Sequence, residues 1–170
     1  NVFRVVSIAP LGNLAYRNLP VQITFNQAVA EDSVTKGALL VVHGDFIEVA
    51  GSLALDQSDR RRVIFRPASS CPKPNQADFC FDYSADNQAV NRHSVYINLN
   101  AANSFKSARN NLALTCLAGE CQGEFVTGEA INNQPLYCFN GEFNDDLGET
   151  GLDCGGACGA CDGAACSASQ

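Results

Sequence analysis

Residues 20–29, PVQITFNQAV, and residues 94–99, SVYINL, decide the fold class of this chain. In the first, Ile23 and Phe25 alternate with Gln22 and Thr24; in the second, Val95, Ile97 and Leu99 alternate with Tyr96 and Asn98. A period of two puts the apolar side chains on one face of an extended segment, the pattern of a strand with one face on a core. Working outward, the same pattern recurs between turn signals. It predicts strands over residues 3–8, 21–25, 38–42, 46–55, 62–65, 94–99 and 124–127. Seven short strands separated by loops predict an all-β chain built as an immunoglobulin-like antiparallel sandwich. One helical turn is expected over residues 31–36, where Glu31 and Asp32 open and Gly37 follows.

The stretch 67–90 is too long for a hairpin loop and carries Pro72 and Pro74. We expect Cys71 and Cys80 to close it, and Cys116 and Cys121 to staple a second loop around Ala118 and Gly119. Spacing alone does not fix connectivity. Nine cysteines point to an oxidising compartment, so the chain is expected to be secreted or on a cell surface. The chain starts at Asn1 without Met, basic n-region or apolar h-region, which we read as a mature start after signal removal. No apolar run nears the roughly 20 residues of a membrane-spanning helix, so no direct membrane insertion is expected.

Charge is segregated along the chain. Residues 1–109 hold 11 basic and 9 acidic side chains, while residues 110–170 hold 9 acidic and no basic ones, for a net charge of -7. A cation-free final third repels phosphate backbones, which excludes nucleic acid as a partner class. Arg60, Arg61 and Arg62 form the only basic run; beside Asp56 and Asp59 it reads as a solvated turn.

The order of signals in "VVSIAPLGNLAYRNLPVQITFNQAV", "VAGSLALDQSDRRRVIFRPA", "HSVYINLNAANSFKSARNNLAL" and "GEFVTG" resembles the bacterial Ig-like domains first described in surface-layer proteins. The resemblance covers about residues 2–128 and departs in the cysteine-bearing insertion at 71–90. It implies a spacer or adhesive role in an extracellular protein, without catalysis.

From Cys138 the composition shifts to Gly, Asp, Asn and Cys, which cannot build a hydrophobic core and needs disulfides, a metal or both. We therefore divide the chain into a sandwich over 1–130 and a small, disulfide-rich, loop-dominated acidic module over 131–170. Oxygen donors at Asn140, Asn144, Asp146, Glu149 and Asp153 stand among Gly141, Gly148 and Gly151, as a calcium loop requires, with Glu142 and Asp145 as further candidates. The EF-hand register fails, since position 6 counted from Asn140 is Asp145 and not glycine. Disulfides without metal are a second reading, and zinc or an iron–sulfur cluster on Cys154, Cys158, Cys161 and Cys166 a third.

This segment resembles a short cysteine-rich repeat of bacterial extracellular proteins, "CxNG" followed by "ETDxDCGGxCxxC", here "CFNG" and "ETGLDCGGAC" with Gly151 in place of the usual Asp. Cys138, Cys154, Cys158 and Cys161 are expected in disulfides. Because nine is odd, Cys166 is the thiol left for another chain or for residues beyond Gln170.

His43 and His93, the only histidines, sit in no nucleophile motif and read as ordinary strand-end residues. The expected function is a non-enzymatic structural or adhesive module, partnered by other copies or other surface proteins and stiffened by disulfides and calcium. The N-terminal VFRVVSI would then complete a neighbour's sheet. The alternative is a glycan-binding accessory module, against which stand the absence of Trp and only four tyrosines, Tyr16, Tyr83, Tyr96 and Tyr137.

Overall fold

The computed structural model describes residues 2–44, 46–71, 78–129, 131 and 150. Within them the chain forms β1 (Val5–Ala9), β2 (Gly12–Ala15), β3 (Val21–Phe25), β4 (Leu39–His43), β5 (Ile47–Glu48), β6 (Gly51–Leu55), β7 (Arg62–Pro67), the four-residue helix α1 (Gln88–Asn91), β8 (Arg92–Ile97) and β9 (Gln122–Thr127). Alternation does what it dictates: Val21, Ile23 and Phe25 of β3 are fully buried and Val95 of β8 likewise, with their neighbours half-buried between them.

Two sheets result, β1-β3-β7-β6 and β2-β9-β8-β4-β5. This is the immunoglobulin arrangement, in which the first strand divides itself between the two sheets. Among the described residues every pairing of two strands is antiparallel except one: β2 runs parallel to β9, with Gly12 opposite Phe125 and Ala15 opposite Thr127. The sandwich is otherwise the antiparallel one expected, and β2 adds a parallel seam to it.

The expected strand over 46–55 is in fact two strands in opposite sheets. β5 pairs with β4, and β6 pairs with β7. The chain changes sheet between Val49, whose N–H donates to the Val41 carbonyl at 2.8 Å, and Ala50, whose carbonyl accepts from Ala68 N–H at 2.8 Å. Gly51 just beyond allows the crossing, because a Cβ there would meet the Phe65 ring and the Arg66 carbonyl. Hydrophobic periodicity cannot reveal such a crossing, since both sheets bury their inner faces in one core.

Smaller corrections follow from local geometry. The expected helical turn over 31–36 is two 3-10 turns, Glu31–Ser33 and Lys36–Ala38. β2 and α1 carry no sequence pattern strong enough to announce them. The N-terminal strand is committed to its own sheet: β1 pairs with β3, and Phe3 is buried against Leu114. Its other side is the open edge of that sheet.

Between residues 3 and 15 the chain runs the length of the sandwich alongside β9, Ile8 lying against Gly123, Gly12 opposite Phe125 and Ala15 opposite Thr127. Consequently Val2 lies at one pole, beside Asn26 and Gln27, and β9 ends at the other. Each pole has its own aromatic cluster. At the first, Phe3 stacks on Phe25 at 5.1 Å and Phe105 meets Phe25 edge-on at 5.2 Å. At the second, Phe81, His93 and Phe125 pack together at 4.9–5.2 Å.

Candidate functional site

The expected calcium donors Asn140, Asn144, Asp146, Glu149 and Asp153, with Glu142 and Asp145, lie outside the described residues, as do Cys138, Cys154, Cys158, Cys161 and Cys166. Among the described residues, no three His, Cys, Asp or Glu side chains gather closely enough to hold a metal ion.

Both local disulfides form, Cys71 with Cys80 and Cys116 with Cys121. The second closes a loop around Gly119, whose φ of 86° falls in the left-handed region that glycine adopts without strain. The first is buried and anchors a strap across the second pole. Cys71 N–H donates to the Asp78 carbonyl and Cys80 N–H to the Ser69 carbonyl, so the bridge is clamped on both sides by backbone. The next residue, Phe81, turns inward and is fully buried.

Polar groups seal the strap around that plug. Phe81 N–H donates to the Arg17 carbonyl at 2.8 Å, and Arg17 Nε donates back to the Phe81 carbonyl at 3.1 Å. The Arg17 guanidinium also lies 5.6 Å over the Tyr83 ring. Burial lowers the Arg17 pKa, opposed by the carboxylates of Asp82 and Glu129. Asn91, buried at the end of α1, accepts from Ser84 N–H at 2.7 Å and donates to the Ser84 carbonyl at 2.8 Å. The Thr127 hydroxyl lies 3.1 Å from the Asp82 carbonyl and 3.3 Å from that of Asn91. These bonds tie the insertion to the last strand.

The two histidines face each other across β4 and β8, with ring centroids 6.1 Å apart. His43 does end its strand, and its Nε2 lies 3.8 Å from Asp82. His93 is more than a strand-end residue, being fully buried in the aromatic cluster with Nδ1 2.9 Å from the Asn91 carbonyl. That contact places the proton on Nδ1. Burial, opposed by the Asn91 carbonyl and Asp82 and aided by neighbouring His43, holds the His93 pKa down at about 4. His93 is thus a neutral core residue at ordinary pH.

The basic run is a self-neutralised turn. Arg61 pairs with Asp59 at 3.1 Å, Arg62 reaches Asp56 and Asp59 at 3.6 Å, and Arg60 meets Glu31 at 3.3 Å. Hydrogen bonds from Ser58 lower the Asp56 pKa, and those from Arg61 lower that of Asp59. Sequence reasoning missed the roles of Arg17, Phe81, Asn91 and Thr127. Only Phe81 left a trace, as a large apolar residue directly after a bridged cysteine.

No family model and no curated protein matches the chain. Solved structures that resemble it include the N-terminal part of the bacterial S-layer protein SbsC, at 10% identity and a TM-score of 0.45 over 75% of this chain and 24% of that one. The SbsC fragment of residues 31–844 aligns at 11% identity and a TM-score of 0.47, over 89% of this chain and 16% of that one. The chain spans less than a quarter of the length of either.

Proposed function

We propose that this chain is a non-catalytic structural module of an extracellular or cell-surface protein, working as one unit in an end-to-end assembly. One observation carries the reading: the polypeptide enters the sandwich at one pole, beside Asn26, and leaves it at the other, beside the disulfide-anchored strap. Domains often keep their termini close together, whereas this layout suits units strung lengthwise. Two loop disulfides support an oxidising, extracellular setting.

Calcium held by the 131–170 module is part of the proposal. Asn140, Asn144, Asp146, Glu149 and Asp153 supply hard oxygen donors in a glycine-rich segment without a cation, the donor chemistry calcium takes. Binding to the native state alone raises the unfolding midpoint. Thermal unfolding with calcium and with a chelator tests this, and identical midpoints would remove the ion from the account. Immunogold labelling of intact cells tests location; label confined to the cytoplasm sinks the structural-module reading.

Glycan binding is a second reading, favoured by one observation. Phe46, held at a φ of 63° and 75% exposed, stacks with Tyr96 at 6.5 Å. Side chains forced into that backbone region cluster at ligand-contacting sites. A glycan array that gives no signal abolished by Phe46→Ala would dismiss it.

A further inference from the structure

The first pole carries two adjoining grooves that share Asn26. One, of about 460 Å3, is lined by Asn26, Gln27, Ala28, Ala108 and Arg109. The other, of about 440 Å3, is lined by Val2, Arg4, Asn26, Thr115, Leu117 and Glu120. Arg4 and Arg109 are exposed, and among the described residues neither makes an ion pair, unlike the nearby Arg60, Arg61 and Arg62. Val2 and Leu117, 55% and 64% exposed, put apolar surface beside the two guanidinium groups. The only carboxylate in the lining, Glu120, is turned back to accept from Leu117 N–H at 3.2 Å.

A groove with two unpaired guanidinium groups and apolar flanks fits an acidic peptide that also carries apolar side chains. This chain contains one. Residues 130–170 hold six carboxylates, Glu142, Asp145, Asp146, Glu149, Asp153 and Asp162, no cation, and Phe143, Leu147 and Leu152 among them. One bound calcium ion would leave about four negative charges, so metal binding and docking are compatible. The segment begins where β9 ends, at the opposite pole from the grooves.

We propose that the Arg4–Arg109 grooves receive the acidic segment 130–170 of a second copy, joining copies head to tail. The joint uses two different surfaces, so it is heterologous and repeats without closing on itself unless a rotation brings the ends together. The proposal rests on the structural-module reading and names the partner of its first pole. Surface labelling tests that reading separately and does not depend on the outcome here.

Sedimentation velocity on the full chain over rising concentration, at fixed calcium and low salt, tests it with two variants. Arg4→Glu/Arg109→Glu spoils the grooves. Phe143→Ser/Leu147→Ser/Asp162→Asn spoils the segment, spares every residue named as a calcium donor or candidate, and adds no cation that could pair with the reversed groove. The wild type should associate reversibly, weaken at high salt, and lose at least tenfold in affinity in either variant. Circular dichroism melts confirm that both variants fold. Mixed together, the variants should give a 1:1 complex and stop, because one intact segment meets one intact groove. A wild type that stays monomeric, as when the segment returns to its own groove, overturns the proposal. So does a groove variant that associates like the wild type, or a mixture that forms no complex.

Discussion

The imidazole of His93 lies flat against the ring of Phe125, with centroids 4.9 Å apart and planes 9° apart. Phe81 meets the same imidazole edge-on from the strap. The stack leaves no room to solvate a charge, which is why burial lowers the His93 pKa to about 4. In the unfolded chain histidine titrates near pH 6.5. Below about pH 6.5 the unfolded state therefore takes up a proton that the folded state refuses. Stability falls as pH drops from about 6.5 to about 4 and levels off below, losing about 3 kcal/mol from this group. Urea unfolding across that window measures the slope. In His93→Phe the slope should be shallower; an equal slope would place the acid sensitivity elsewhere.

Among the described residues of the strap, Phe81 is the one large apolar side chain sent into the core, fully buried among Phe65, His93 and Phe125. Phe81→Ala should cost about 3–5 kcal/mol by the cavity it leaves. It should also free the His93 edge, raising that pKa toward the ordinary range. Chemical denaturation gives the first quantity, and an NMR titration of the imidazole gives the second.

Removing the anchor has a different signature. Cys71→Ser/Cys80→Ser relaxes a short loop of the unfolded chain and should cost about 2–3 kcal/mol. The loss should also exceed that of Cys116→Ser/Cys121→Ser, because the first bridge is buried and carries Phe81 in behind it while Cys116 and Cys121 are only half-buried. Equal losses in the two double variants would show that the strap adds nothing beyond loop closure.

At the sheet crossing, Gly51→Ala forces a methyl group into the Phe65 ring and the Arg66 carbonyl. Overpacking of this kind costs about 1–3 kcal/mol. The nearby Gly37→Ala meets only the Asn103 side chain, at 3.4 Å or more, and serves as the tolerated control. Thermal melts of both should separate them, and similar midpoints would mean that Phe65 yields freely.

What was legible in the sequence was whatever a period of two can write. β3 falls on the residues whose alternation announced it, and β4, β8 and β9 lie within two residues of expectation at each end. The sheet crossing at Val49–Ala50 was hidden because continuous alternation looks the same whether a strand stays in one sheet or passes to the other. β2 was hidden because its neighbour, β9, is about 110 residues away, and only that pairing makes it a strand. Tertiary burial, not local pattern, turned His93 from a strand-end residue into a core one. The proposed calcium loop rests on composition and motif alone, since its donors fall outside the described residues.

The parallel seam of β2 and β9 acquires a mechanical meaning once the two poles are pulled apart. Tension at Val2 draws β2 one way and tension at Glu129 draws β9 the other, so their bonds, including Gly128 N–H to the Ala15 carbonyl at 3.0 Å, lie across the force. They must then fail together and not one by one, as the rungs of a hairpin peeled from its end would. Single-molecule stretching between residues 2 and 129 should show one abrupt rupture. Replacing Gly128 by proline, which removes the N–H donor from that seam, should lower its force.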